Sequence, residues 1–195
     1  KGAPLYAYEF NGYWKDVGTL NSYWEANMEL IDIVPEFNLY EEYWKIYTKS
    51  NQVSPQYISG ESVVERSLIG EGSEIYGRVY NSVIGCGVKI GRGTVVCDSI
   101  IMNDTVIGDG CEVNKGIIAE NVVVGNRVRL GVGDEAENDT MPHIYNHGIA
   151  TIGERSIVPD DISVGKNTVI AGVTGREDYP DGALASGKSL IKAGD

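Results

Sequence analysis

Along most of this chain an aliphatic residue, a glycine, two variable residues and a small or β-branched residue recur as one short phrase. Seven copies stand at Ile69-Gly70 to Ser73, Ile84-Gly85 to Val88, Ile90-Gly91 to Thr94, Ile107-Gly108 to Cys111, Val124-Gly125 to Val128, Ile152-Gly153 to Ser156 and Val164-Gly165 to Thr168. A six-residue rhythm of this kind predicts a parallel β-helix. The aliphatic side chain points inward on a flat face, the small residue fits a narrow corner, and the glycine tolerates the backbone angles of the tight turn. Related phrases beginning at Ser67, Ser82, Ser99, Gly116 and Ala150 start 15, 17, 17 and 34 residues apart. Such steps fit coils of three faces with about six residues each, whose inward aliphatics stack into ladders.

Residues 1–36 do not follow the rhythm. Tyr6 to Phe10 alternates as a short strand does, and Asn11-Gly12 offers a turn. Leu20, Tyr23, Trp24, Met28 and Ile31 then recur at helical spacing. Thr19 or Ser22 is the candidate cap, Ser22 to Glu25 matches a capping box, and Pro35 is the expected stop. Residues 37–56 read as a linker with a short second helix, whose Tyr40, Tyr43, Trp44 and Tyr47 are expected to cover the first coil or meet a domain. The β-helix is assigned to 57–195. One insertion, Gly131 to Gly148, must leave the prism as a loop on one edge, and it holds both histidines, His143 and His147. Beyond Ala171 the rhythm fades, and Leu184 to Ile191 is expected to add a last strand as a C-terminal cap.

Composition narrows the classes of function. With 195 residues, 42% of them hydrophobic, the chain can bury a core and suits one main domain plus an appendage. A formal charge of −12 disfavours nucleic acid and anionic membrane surfaces, because both need clustered Lys and Arg. The absence of long apolar runs predicts a soluble, cytoplasmic protein. Cys86, Cys97 and Cys111 form no CxxC pair and read as small packing residues, with Cys111 in a corner slot.

The most informative non-repetitive segment is Tyr13-Trp-Lys-Asp-Val-Gly-Thr19, followed by Ser22-Tyr-Trp-Glu-Ala-Asn-Met28. With these two phrases ahead of a hexapeptide β-helix, the chain resembles the bacterial glucose-1-phosphate adenylyltransferases over essentially its whole length. The resemblance implies a mainly β fold, a left-handed parallel β-helix preceded by the tail of an α/β nucleotidyltransferase domain. It implies that Asp16 is one of two carboxylates holding a catalytic Mg²⁺, with Trp14, Gly18 and Thr19 shaping the turn that aims it. Carboxylate oxygens suit a hard cation, which offsets charge on the α-phosphate as the sugar phosphate attacks. Read alone, an Asp before Val-Gly is first of all a structural residue at a turn or near a helix start.

The family's Gly-rich triphosphate loop, first metal Asp and sugar-phosphate lysine have no counterpart in this sequence. The chain is therefore expected to be a fragment that binds ATP and glucose 1-phosphate mostly through a domain it lacks, and to be inactive alone. The resemblance further implies that the β-helix builds a homo- or hetero-tetramer and frames a small-molecule effector site. Arg127, Arg129, Arg155, Lys166 and Arg176 are candidate basic contacts, each equally readable as a solvated corner charge. Two alternatives stay open. Many hexapeptide β-helix enzymes are acyltransferases that use a loop histidine as general base, a role open to His143 or His147, although acidic residues crowd that loop where an anionic coenzyme A would approach. A non-catalytic regulatory subunit is the other.

Overall fold

A parallel strand pair needs a crossover of a dozen or more residues, and in a coil the two remaining faces provide it. The computed structural model describes residues 2–39, 41–44, 47 and 53–192. From Tyr57 onward the chain winds into three parallel sheets of six, seven and seven strands, each strand two to four residues long. Val106 pairs with Lys89 on one side and Val123 on the other. Ile118 likewise pairs with Ile101 and, across the insertion, with Ile152. Inside, Ile75, Ile90, Ile107, Val124 and Val158 form one ladder, all at most 1% exposed. Each such side chain contributes about 1.5–3 kcal/mol through burial.

The corners differ from expectation in one respect. Their small residues are buried, as the rhythm predicts, and they also bind: Thr94 Oγ1 donates to Gly108 O at 2.6 Å and accepts from Cys111 N at 3.0 Å. The glycines of the phrase, however, have ordinary backbone angles. They are glycines because the turns of successive coils touch: a Cβ on Gly91 would lie 2.5 Å from Gly108 C and from Asp109 Oδ1. The left-handed backbone falls two residues later, at Gly93 (φ 71°) or at non-glycines such as Arg127 and Asn167.

Three N-terminal expectations are corrected. Residues 6–10 form no strand, because among the described residues no neighbouring strand pairs with them. The helix, α1, spans Leu20–Glu29 with Thr19 as its cap. The capping box is Thr19 with Ser22, not Ser22 with Glu25, since Ser22 N donates to Thr19 Oγ1 and Thr19 N to Ser22 Oγ. Pro35 does not set its end. After Glu29 the chain tightens into i→i+3 turns, which bury Ile31 and set Asp32 3.4 Å from Arg66.

In the linker, the described residues of 37–48 form no helix. Tyr43, Trp44 and Tyr47 are almost fully exposed and do not cover the first coil, while Tyr40 lies outside the described residues. So short a helix needs a packing surface to persist, and Tyr43, Trp44 and Tyr47 are too exposed to supply one.

At the other end, the expected last strand is two, Ala183–Leu184 and Ser189–Ile191, on different sheets. They start a further coil, after tight turns at Arg176–Asp178 and Pro180–Gly182. Buried Tyr179 shares a 2.7 Å hydrogen bond with Thr174 there.

Candidate functional site

Strands Ile100–Ile101 and Gly116–Ile118 are buried on both faces. Ile101 and Ile118 point into the prism, whereas Ile100 and Ile117 point out and are covered by α1 through Leu20, Tyr23, Trp24 and Met28. Trp24 Nε1 donates to Asp98 O at 2.7 Å, and Lys115 Nζ sits 4.9 Å from the centre of the Trp24 ring. The segment carrying Asp16 is therefore fastened to the flank of the β-helix.

Just before α1, burial alternates from one residue to the next. Tyr13 and Lys15 are half-buried while Trp14 and Asp16 are exposed. Asp16 Oδ1 accepts from Gly18 N at 3.1 Å, a two-residue turn that orients the carboxylate immediately ahead of the helix cap. Tyr13 Oη donates to Glu29 Oε2 at 3.1 Å, and Lys15 Nζ donates to Glu29 Oε1 and lies 3.8 Å from Glu25. The Lys15 hydrogen bond holds the Glu29 carboxyl below the usual carboxylate range and raises the Lys15 ammonium in return; desolvation, then Glu29, raises the Tyr13 phenol. These residues, with Asn11 and Glu36, line an open cleft of about 680 Å³.

For a metal, Asp16 offers a hard oxygen donor on a fixed turn. Among the described residues no three His, Cys, Asp or Glu side chains converge. The arrangement fits one contributed carboxylate of a shared Mg²⁺ site rather than a complete one.

The insertion is strapped down rather than free. Asn138 Nδ2 donates to Asn167 O at 2.9 Å, Gly148 N donates to Asn167 Oδ1 at 2.6 Å, and Asp139 N reaches Gly187 O on the final coil at 2.8 Å. His143 is exposed and borders a cleft with Val17, Gly18, Thr19, Tyr23 and Met102. His147 is exposed in a left-handed turn. Among the described residues neither makes a hydrogen bond to a carboxylate that would orient it as a base.

Of the basic candidates, Arg127 and Arg176 meet at Asp160 and Asp161, and Arg127, Arg129 and Arg155 are in ion pairs. Arg127 makes a two-pronged contact with Asp161 (2.6 and 2.8 Å), Arg129 pairs with Glu112 at 3.3 Å and Arg155 with Glu154 at 3.1 Å. Arg176 donates to Asp160 O at 3.3 Å, and Lys166 makes no ion pair among the described residues. Sequence reasoning missed Tyr13, Lys15 and Glu29 as a unit. The signal was there, in the alternation of Tyr13 and Lys15 and in an acidic residue in the last turn of a helix.

A prism of hexapeptide coils carrying a helical segment on one flank defines the class. Residues 52–152 match the family model described as "GlmU-like, C-terminal hexapeptide", and residues 1–33 match that described as "Nucleotidyl transferase". The chain belongs to the GlmU-like C-terminal hexapeptide family, whose model spans about half of it.

The relatives are more particular. The chain is 61% identical over 191 residues to the glucose-1-phosphate adenylyltransferase of Lachnospira eligens, covering 98% of this chain and 45% of that protein. The enzyme of the same name from Acetivibrio thermocellus is 45% identical over 195 residues (100% of this chain, 46% of that one). That of Thermotoga maritima is 50% identical over 187 residues (96% and 44%). The chain thus spans about half the length of the curated relatives it matches. Among the described residues no helix is long and apolar enough to cross a membrane.

Proposed function

We propose that this chain is the C-terminal part of a glucose-1-phosphate adenylyltransferase of the cytoplasm, which makes ADP-glucose and pyrophosphate from ATP and glucose 1-phosphate for glycogen biosynthesis. One observation carries the reading. The phrase Tyr13 to Thr19 lies in the nucleotidyltransferase-like stretch and is fastened to the hexapeptide prism through Trp24, as one continuous unit matched along 98% of its length by such an enzyme. In the reaction a phosphate oxygen of the sugar phosphate bonds to the α-phosphorus of ATP, the bond to the β-phosphate oxygen breaks, and pyrophosphate leaves. Asp16 is the carboxylate this chain contributes to Mg²⁺, which when bound offsets charge on the α-phosphate. The remaining contacts to both substrates belong to the longer protein.

The prism serves assembly and regulation. A row of exposed aliphatics on one face, Val106, Val123, Ile157 and Val173, supports a tetramer built through the β-helix. Effector binding between the two parts is favoured by the clefts along their junction.

The test is pyrophosphate release by the full-length protein with Mg²⁺ and glucose 1-phosphate, comparing ATP with other nucleoside triphosphates and wild type with Asp16→Asn. Release with ATP that collapses in the variant is expected. Release indifferent to the substitution returns Asp16 to a structural turn residue. No release with any nucleotide from a folded oligomer points to a regulatory subunit.

A further inference from the structure

An acidic side chain in the last turn of a helix faces the negative end of the helix dipole, and α1 ends on Glu29 with no basic residue in that turn. The compensating charge comes from outside the helix. Lys15, 14 residues back, reaches one Glu29 oxygen, and Tyr13, 16 residues back, reaches the other. Both partners are half-buried in the run before the helix, and Asp16, exposed beside them, borders the same cleft.

At the near end of α1, Thr19 and Ser22 exchange backbone and side-chain hydrogen bonds, and Gly18 N holds Asp16 Oδ1. The four residues from Lys15 to Gly18 are therefore held at both ends, by Glu29 and by the cap. A rotation of this run that turned Asp16 away would break the Lys15 and Tyr13 contacts together.

We infer that Glu29 is a positioning residue, whose carboxylate holds Tyr13 and Lys15 against the end of α1 and thereby sets the direction in which Asp16 presents its oxygens. The inference rests on the reading of Asp16 as a metal carboxylate. It also gives the β-helix a route to the reacting centre. Trp24 and Lys115 hold α1 on the prism, and α1 holds Glu29.

The experiment uses the full-length protein and two readouts, the binding of Mn²⁺ without turnover, followed by its paramagnetic resonance signal, and the Mg²⁺ dependence of pyrophosphate release. Glu29→Gln and Lys15→Met are each expected to weaken Mn²⁺ binding about tenfold, as loss of a group supporting a metal ligand commonly does. The half-saturating Mg²⁺ should rise by a similar factor, with melting temperature little changed. Lys15→Arg, which keeps a charged donor, should stay close to wild type. A purely structural clamp would behave differently, lowering the melting temperature while leaving Mn²⁺ affinity alone, and that result overturns the inference. Should Glu29→Gln fold poorly, Lys15→Met and Tyr13→Phe, which leave the helix sequence intact, decide the matter. Asp16→Asn separates the two claims. If it abolishes Mn²⁺ binding while the Glu29 and Lys15 variants bind normally, only the positioning role falls; if it too binds normally, the metal reading falls and takes the positioning role with it.

Discussion

The prism and the N-terminal segment solve the same problem, the satisfaction of backbone and apolar groups, in opposite ways. From Tyr57 on, each coil is covered by the next, so strands of two or three residues suffice because every inward aliphatic lies between two others. Residues 2–39 have no such repetition. Leu5, Tyr6, Tyr8, Ile33 and Val34 are more than 80% exposed, and the segment meets the prism chiefly through α1, at Trp24 and its neighbours, with Asp32 beside Arg66. A repeating chain carries its own packing partners in its sequence, whereas a non-repeating one depends on whatever surface it reaches.

The sharpest way to break this contrast is to attack the ladder itself. Ile107→Asp places an unpaired carboxylate between Ile90 and Val124, and the expected loss is about 4 kcal/mol or more, enough to unfold the neighbouring coils. Circular dichroism melting reads it, and an unchanged midpoint would mean that the coil register is wrong.

Next come the two glycines of one turn. Gly91→Ala drives a methyl into the coil above and should cost about 1–3 kcal/mol by overpacking. Gly93→Ala meets nothing closer than 3.9 Å and should cost only the left-handed backbone, about 1–2 kcal/mol. Gly93→Asn should cost less, since Asn121 adopts the same left-handed backbone at a comparable corner. If Gly93→Ala is the worse of the alanine pair, backbone angle rather than coil contact governs the turn.

The rhythm made the prism legible because one rule of side-chain size repeats in every coil. It did not distinguish the two reasons for a glycine, since close approach and positive φ leave the same letter. Nor did it reveal the covered flank at Ile100-Ile101 and Ile117-Ile118. The same adjacent aliphatics occur at Val106-Ile107, Val123-Val124 and Ile157-Val158, where the outward residue stays exposed, so the pattern does not tell a covered face from an open one. Asp16 became a candidate only through a family likeness. The Glu29 contacts depend on how the run before α1 folds back along the helix, a distance that no local pattern encodes. The strand expected at Tyr6 to Phe10 failed for a related reason, because alternation describes a face but supplies no partner.

The junction between the two regions is the next target. Trp24→Ala removes the bond to Asp98 O, the contact with Lys115 and the cover over Ile100 and Ile117. The expected outcome is a local release of α1 worth about 2 kcal/mol, smaller than a core Trp truncation because the ring is only partly buried. Hydrogen exchange should accelerate across 13–31 and stay slow in the strands from Val79 to Val164. Exchange that accelerates throughout would mean that the helix supports the prism rather than resting on it.

The smallest effect is expected inside the corner column. Cys111 Sγ lies 3.1 Å from Gly125 O, in the place where Thr94 Oγ1 meets Gly108 O, so the thiol stands in for a hydroxyl. Cys111→Ser keeps the size and improves the donor. Its stability should fall within about 1 kcal/mol of wild type, on the favourable side if the shorter C–O bond still reaches the carbonyl. Reactivity provides the control. Burial raises the Cys111 thiol and, to a lesser degree of enclosure, that of Cys97, which Asp98 raises further, whereas Cys86 is exposed. The thiolate is the reactive form, so a thiol reagent at neutral pH should label Cys86 first, Cys97 slowly and Cys111 only on unfolding. Rapid labelling of Cys111 in the native state would show the corner open to solvent, and the stacked-coil account would then fail at its most regular point.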